Sequence, residues 1–299
     1  MSPSPLILRA PAKVNLTLEV LGRRADGYHD ICSVVQAISL ADELTFAPAP
    51  DVTLRCDEPD LQGPENLVWR AADLLRRSAG VRQGAAIALA KRIPVAAGLG
   101  GGSSDAAACL RGLNALWRVD LGVERLMDLA AHLGSDVPFF MLPRGCALAE
   151  GRGERLTPLP PLPRRWLVLV KPPIGISAAA AYGALDATEW SDGTHTRAWL
   201  AQAKSLGTVP APFNGLEPAA LRAAPEAAAA RDTLLAADAP YAVMSGSGST
   251  YFCLFESEQE AKAVRLRVQA PGHQPYLAHF LSPSTAPDLL AIQDSGVRS

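Results

Sequence analysis

The sequence lacks an excess of charge of either sign: 28 lysines and arginines stand against 30 aspartates and glutamates, a net charge of −2. That balance excludes a general pull toward nucleic acid or an anionic membrane, so any affinity for phosphate has to come from a local site. Cysteine is sparse and scattered (Cys32, Cys56, Cys109, Cys146, Cys253) with no CxxC pair. This argues against a zinc ribbon or a disulfide framework and suits reduced thiols. No apolar run approaches membrane-spanning length, and the start MSPSPLILRAPAK has neither the basic start nor the apolar length of a signal peptide. The expected location is cytoplasmic, with no membrane and no nucleic-acid partner.

Glycine, by contrast, is concentrated. The stretch Ile93 to Ala108 reads IPVAAGLGGGSSDAAA, and four of the five residues from Gly98 to Gly102 are glycine. An apolar strand-like run (Ala85 to Ala90) precedes the loop and a helix-like run (Ala106 to Trp117) follows it. Glycine admits positive φ and removes the Cβ that would keep a ligand at a distance. Ser103, Ser104 and Asp105 are expected to cap the helix. A helix N-terminus presents unpaired N–H groups and partial positive charge, which suits a phosphate. No Gly-Lys-Ser/Thr closes the loop, so it is not a Walker loop, and Ser103 stands where a dinucleotide fingerprint needs glycine. A plain Gly/Ser linker is the alternative.

The rest of the chain predicts an α+β protein in two units. Leu6 to Leu8, Val14 to Leu21, Ile31 to Leu40, Thr45 to Phe46 and Val52 to Cys56 read as strands. Within Val14 to Leu21 the alternation with Lys13, Asn15, Thr17 and Glu19 predicts a half-buried strand, with Lys13 and Asn15 on one face. Asn66 to Ala79 and Val123 to Leu133 predict amphipathic helices stopped by Gly80 and Gly134. Cys146 to Leu156 predicts a hairpin around Gly151-Arg152-Gly153. Thr157 to Arg165, rich in proline, is the expected linker, giving units 1–162 and 163–299. Beyond it, Trp166 to Val170, Tyr241 to Met244, Tyr251 to Phe255 and Tyr276 to Leu281 read as strands. Ala178 to Leu185, Glu217 to Leu221, Glu226 to Ala237 and Glu258 to Gln269 read as helices, Glu189 to Thr196 as loop. No structure is expected beyond Ser282.

Three further features stay open on residue type alone. Lys13 is a surface lysine or a functional one. Asp136, between a helix stop and the apolar run VPFFML, is a cap or a catalytic carboxylate. Ser245 to Thr250, SGSGST, is a hairpin turn or a second small-residue loop. Two such loops with a lysine–aspartate pair suit phosphoryl transfer, where positioning and charge stabilisation dominate, provided the pieces meet in space.

PAKVNLTLEVLGRRADGYHDICSV, IPVAAGLGGGSSDAAACLRGLNALW, LGSDVPFF and MSGSGSTYFCLF together resemble the motif regions of the GHMP small-molecule kinases, from about Ala10 to Phe255. RADGYH narrows the resemblance to the branch whose acceptor alcohol carries a cytidine diphosphate. The resemblance implies a ribosomal-protein-type βαβ domain, a ferredoxin-like domain, and an active site in the cleft between them. It implies ATP as co-substrate with Mg²⁺, a small cytidyl diphosphate substrate, and a monomer or homodimer. By matching position, Lys13 and Asp136 become the catalytic pair. Pro94 and the run Gly98, Leu99, Gly100, Gly101, Gly102, Ser103 and Ser104 become the ATP-phosphate loop, with Ser103 or Ser104 offered to Mg²⁺. Asn66 and Lys91 fall on the adenosine side. Asn15 falls near the substrate hydroxyls, and Tyr28, His29 and Tyr182 around the cytosine, which is expected to sit between two rings.

Two departures accompany the resemblance. Ile176-Ser177-Ala178-Ala179 has no threonine where the family often carries one, so Ser177 supplies that hydroxyl or the contact is missing. Asn214-Gly215-Leu216-Glu217 lacks the usual aspartate, and no catalytic role is expected there. Another kinase of the same family, acting on homoserine or a mevalonate derivative, would leave Tyr28, His29 and Tyr182 without a common purpose. A non-catalytic RNA-binding module is disfavoured by the balanced charge.

Overall fold

The computed structural model describes residues 5–143 and 145–282; the tail expected to be unstructured beyond Ser282 lies outside them. The strands are β1 (Leu6–Asn15), β2 (Thr17–Arg23), β3 (His29–Ala49), β4 (Val52–Cys56), β5 (Gly84–Ala90), β6 (Cys146–Gly151), β7 (Arg155–Pro158), β8 (Trp166–Lys171), β9 (Phe213–Asn214), β10 (Val243–Met244), β11 (Tyr251–Phe255) and β12 (Gln274–His279). The helices are α1 (Leu67–Ala79), α2 (Gly101–Leu116), α3 (Val123–Leu133), α4 (Ala178–Gly183), α5 (Thr194–Leu206), α6 (Glu217–Ala223), α7 (Ala228–Ala236) and α8 (Glu258–Arg267).

Strand β3 is the hub. The two runs predicted at Ile31 to Leu40 and Thr45 to Phe46 are one continuous strand of 21 residues. It pairs with β1, β2, β5 and β6, all antiparallel. The β1 register slips between Pro11 and Ala12, a bulge that suits a residue with no N–H to donate. A second sheet has the order β10-β11-β8-β12, every neighbour antiparallel. Helices α1, α2 and α3 bury their apolar stripes on the first sheet through residues such as Leu75, Leu110, Leu113 and Leu129, around Phe46. A further apolar cluster joins Val14, Leu16 and Val34 to Leu167, Leu169 and Phe252, so the two sheets share one core.

Asn66 caps α1 by accepting from Val68 N–H at 2.8 Å, and Gly80 closes it in the left-handed conformation. The predicted linker is narrower than expected, because Thr157 and Pro158 belong to β7.

Two expectations about polarity need correcting together. The Lys13, Asn15, Thr17, Glu19 face of the second strand does not meet solvent; all four are buried. Residues from Thr194, part of the stretch expected as loop, begin helix α5, which lies against β2 and β3. Its Thr196 donates N–H to Glu19 Oε2 at 2.6 Å and its hydroxyl to Thr17 Oγ1 at 3.1 Å. A strand with one polar face reads as half-exposed until its hydrogen-bonding partner arrives from 177 residues away.

Candidate active site

The glycine loop ends in a helix that starts earlier than expected. Helix α2 begins at Gly101, with Gly100 at the cap position in the left-handed conformation. Ser103, Ser104 and Asp105 lie inside the helix and do not cap it. No side chain takes up the N–H groups of the first turn, and no acidic residue compensates it. Its positive end is therefore available to an anion.

Lys13 is anchored to this loop. Its backbone N–H donates to the Leu99 carbonyl at 2.9 Å. A Cβ at Gly100 would lie 3.0 Å from Lys13 Cγ and from the Phe140 ring, so glycine is needed there for close approach as well as for its positive φ. The Lys13 ammonium donates to Asn15 Oδ1 at 2.7 Å and stands 3.7 Å from Asp136 Oδ2. Asn15 in turn donates to Ser33 Oγ at 2.8 Å, which fixes the carboxamide with its oxygen toward the lysine. Lys13 is buried while the Asp136 side chain is 48% exposed, so the pair presents its carboxylate to the cleft.

The two small-residue loops meet. Strands β10 and β11 pair as a hairpin around SGSGST, one of the two readings left open, and its turn packs on the first glycine loop. Ser245 Oγ donates to the Gly98 carbonyl at 3.1 Å, and Thr250 N–H donates to the Ala97 carbonyl at 3.3 Å. Gly246, with positive φ, brings its Cα so near that an added Cβ would lie 3.2 Å from Lys13 Nζ.

A cavity of about 1090 Å³ runs from this junction. Lys13, Asn15, Gly98, Gly100, Ser103 and Asp136 line it, and Tyr28, His29 and Tyr182 share the same lining. Tyr182 stacks on His29, with centroids 5.2 Å apart and planes at 26°, and the Arg152 guanidinium lies 4.8 Å from the Tyr28 centroid. The picture of a base held between the Tyr28 and Tyr182 rings is altered accordingly: each ring already has one face occupied. Burial and the charge of Arg23 hold the His29 imidazole below its ordinary range, so it is neutral at neutral pH.

Other expected residues lie elsewhere. The Asn66 side chain is committed to the Val68 N–H and, at 2.6 Å, to the Leu61 carbonyl. Lys91 does not face the cavity: its buried ammonium sits between Asp42 Oδ2 at 2.5 Å and Asp105 Oδ2 at 2.7 Å. Burial disfavours the ammonium, but the two carboxylates outweigh it and raise the Lys91 pKa; burial drives the Asp105 carboxyl well above the usual carboxylate range. Asp42 also accepts from the Arg92 and Ile93 N–H groups, so this cluster pins the strand end that leads into the glycine loop. Pro94, Leu99, Gly101, Gly102 and Ser104 are not on the cavity surface; Leu99 points into the core. Ser104 Oγ is buried without a hydrogen-bond partner. Ser177 caps α4 by accepting from Ala180 N–H at 3.1 Å, which accounts for its hydroxyl.

The family model described as GHMP kinases N terminal domain matches residues 66–144, and that for GHMP kinases C terminal matches residues 195–274. A protein of Pelotomaculum thermopropionicum named 4-diphosphocytidyl-2-C-methyl-D-erythritol kinase is 45% identical, over 92% of this chain and 97% of its own length. This chain belongs to the 4-diphosphocytidyl-2-C-methyl-D-erythritol kinase family of GHMP kinases. A member from Geobacter metallireducens is 46% identical over 86% of this chain and 92% of its own. A crystal structure titled 4-(cytidine 5'-diphospho)-2C-methyl-D-erythritol kinase superposes with a TM-score of 0.79 at 39% identity, covering 92% of this chain and 98% of that one. Membership makes the chain a small-molecule kinase with the two-domain fold of the GHMP kinases, mixed in α and β. Among the described residues no helix is long and apolar enough to cross a membrane.

Asn214, in the segment for which no catalytic role is expected, has a structural one. Its Nδ2 donates to the Met244 and Gly246 carbonyls, both at 2.8 Å, and its Oδ1 accepts from Leu216 N–H. It clamps the second glycine loop. Gly215 beside it leaves room for the Leu18 carbonyl, which a Cβ would approach to 3.2 Å. Arg23, Arg152 and Trp190 also line the cavity and went unmarked, because nothing in their local sequence sets them apart.

Proposed function

We propose that the protein transfers the γ-phosphoryl group of ATP to the 2-hydroxyl of 4-diphosphocytidyl-2-C-methyl-D-erythritol, giving the 2-phosphate and ADP. The reading belongs to the non-mevalonate, methylerythritol phosphate route to isoprenoid precursors. One observation carries it: the Lys13–Asp136 pair, 3.7 Å apart, shares a single cavity with Gly98, Gly100 and Ser103, at the uncapped start of α2, and with the Tyr28, His29 and Tyr182 rings.

In this reading the α2 N–H groups hold the nucleotide phosphates. Asp136 accepts a hydrogen bond from the acceptor hydroxyl, and Lys13 orients that carboxylate and offsets charge developing on the transferred phosphoryl group. A loose transition state asks little of the acceptor as a base, since the alcohol surrenders its proton late. Among the described residues no three His, Cys, Asp or Glu side chains cluster to hold a metal, so Mg²⁺ is expected to arrive with the phosphates. Ser103, on the cavity surface, would be its protein ligand, whereas the Ser104 hydroxyl is buried away from the cavity. Bound there, the ion would neutralise phosphate charge.

The neutral His29 with the Tyr28 and Tyr182 rings on the cavity wall suits a cytosine, stacking being worth about 1–3 kcal/mol per base. We read residues 1–162 and 163–299 as the two lobes. The order β10-β11-β8-β12 with α7 and α8 packed on β8 and β11 supports a ferredoxin-like second lobe, and the parallel β4–α1–β5 unit supports a ribosomal-protein-type first. A cytoplasmic monomer or homodimer with no nucleic-acid partner completes the reading.

Purified protein with ATP, Mg²⁺ and the cytidyl diphosphate substrate, followed by ³¹P NMR, tests it. A new monoester resonance coupled to ADP formation is expected; turnover of ATP with homoserine or mevalonate instead would overturn the assignment.

A further inference from the structure

The site as described provides for both ends of the substrate and leaves its middle unassigned. The acceptor alcohol has to reach Asp136 and the cytosine has to reach Tyr28. The diphosphate is covalently between them and carries most of the substrate's charge. Along that middle stretch of wall runs the turn between β6 and β7. A Cβ on its Gly153 would lie 3.8 Å from Asp136 Oδ1, and the guanidinium of its Arg152 lies 4.8 Å from the Tyr28 centroid. One turn therefore touches both ends of the path.

The charge ledger of the cavity lining is specific. Its carboxylates are Asp26 and Asp136, and its cations Lys13, Arg23 and Arg152. Asp26 is engaged by Arg24 Nε at 3.1 Å, and Asp136 by Lys13. The Arg152 guanidinium makes no hydrogen bond to a described residue; its nearest carboxylate, Glu154, is 4.0 Å from Nε. The same Glu154 accepts from the Arg152 backbone N–H at 2.6 Å and so tightens the turn. The Tyr28 ring lies against the guanidinium while its N–H groups make no hydrogen bond to a described residue; a guanidinium so held is available to take a phosphate by two parallel hydrogen bonds.

We infer that Arg152 grips the diphosphate bridge of the cytidyl substrate, so that one side chain both backs the Tyr28 ring and sets the distance between the held base and the reacting alcohol. The inference rests on the function proposed above. It makes Arg152 a specificity residue for a nucleoside diphosphate ester over a bare nucleoside.

Calorimetric titration of the full chain with CDP and, separately, with cytidine tests it without turnover. The native protein is expected to bind CDP more tightly than cytidine. Arg152→Gln is expected to erase about 10- to 100-fold of that preference while leaving the cytidine Kd nearly unchanged, since a hydrogen bond to a charged group is lost. Arg152→Lys is expected to restore part of it, keeping the charge without the fork. Arg152→Gln that keeps the CDP preference overturns the inference. So does a variant that weakens cytidine and CDP equally, which would leave Arg152 a packing partner of Tyr28 with no grip on the diphosphate. In either case, phosphorylation of the cytidyl substrate by the native protein leaves the kinase reading standing; native protein that binds neither nucleotide and turns nothing over overturns both.

Discussion

Ser245 and Gly98 lie 147 residues apart in sequence and are joined by a 3.1 Å hydrogen bond from the serine hydroxyl to the glycine carbonyl. That contact welds the two glycine-rich turns into one surface. A Cβ on Gly98 would sit 2.1 Å from the Ser245 carbonyl oxygen, and Gly98 has a φ of 73°. The loops meet because Gly98 has no side chain at the point of contact.

Gly98→Ala is therefore expected to part the loops. A left-handed alanine costs about 1–2 kcal/mol by itself, and the overlap forces the backbone to move. A displacement on the order of 1 Å at the phosphate loop is expected to lower kcat/KM for ATP by about 100-fold. Steady-state kinetics with a melting curve check this; full activity would mean that the junction does not position the loop.

Asp136 stands at the cleft with its carboxylate half exposed, so its removal leaves no buried group unpaired except Lys13, which keeps Asn15. Asp136→Ala is expected to fold normally and bind nucleotide nearly as the native protein does. Its kcat is expected to fall by about 10²–10⁴-fold, the usual weight of a positioned proton acceptor. Rapid-quench turnover with parallel nucleotide titration separates the two effects, and substantial residual turnover would remove Asp136 from the mechanism.

Among the described residues Lys91 is the cation between Asp42 and Asp105, all three side chains buried. Lys91→Met leaves two carboxylates facing each other away from water, and a loss of about 3–5 kcal/mol is expected, as for other broken buried pairs. Chemical denaturation measures it. The double variant Lys91→Met/Asp105→Asn is expected to recover part of the loss; no difference between the single and double variants would show that the three side chains are not coupled.

His29 has its imidazole held below the ordinary 6.5 by burial and by Arg23. A lowered value means that the folded, neutral form resists protonation, so stability and cytidyl-substrate affinity are retained at neutral pH and lost as pH falls through the lowered value. KM for that substrate is expected to rise only below pH 6.5, with KM for ATP flat over the same range. His29→Gln is expected to abolish the acid limb; a midpoint above 6.5 in the native protein would contradict the environment described.

What the sequence determined by itself was local. The loop flanked by strand and helix, the stop at Gly80 and the hairpin at Gly151 to Gly153 follow from backbone preferences that act over a few residues. The motifs around Lys13, Asp136 and Tyr28 identified the family for the same reason: short-range spacing survives in a string. Burial did not. Lys13, Asn15, Thr17 and Glu19 read as a solvent face, and Thr194 to Leu206 held no expected helix, because each conceals its polar groups in the other. Lys91 looked available until Asp42 and Asp105 closed on it. Arg152 looked like any turn residue until the fold set it over Tyr28 and beside the turn glycine that faces Asp136. Desolvation and ion pairing depend on what surrounds a group on every side, and only the folded chain supplies all of its neighbours.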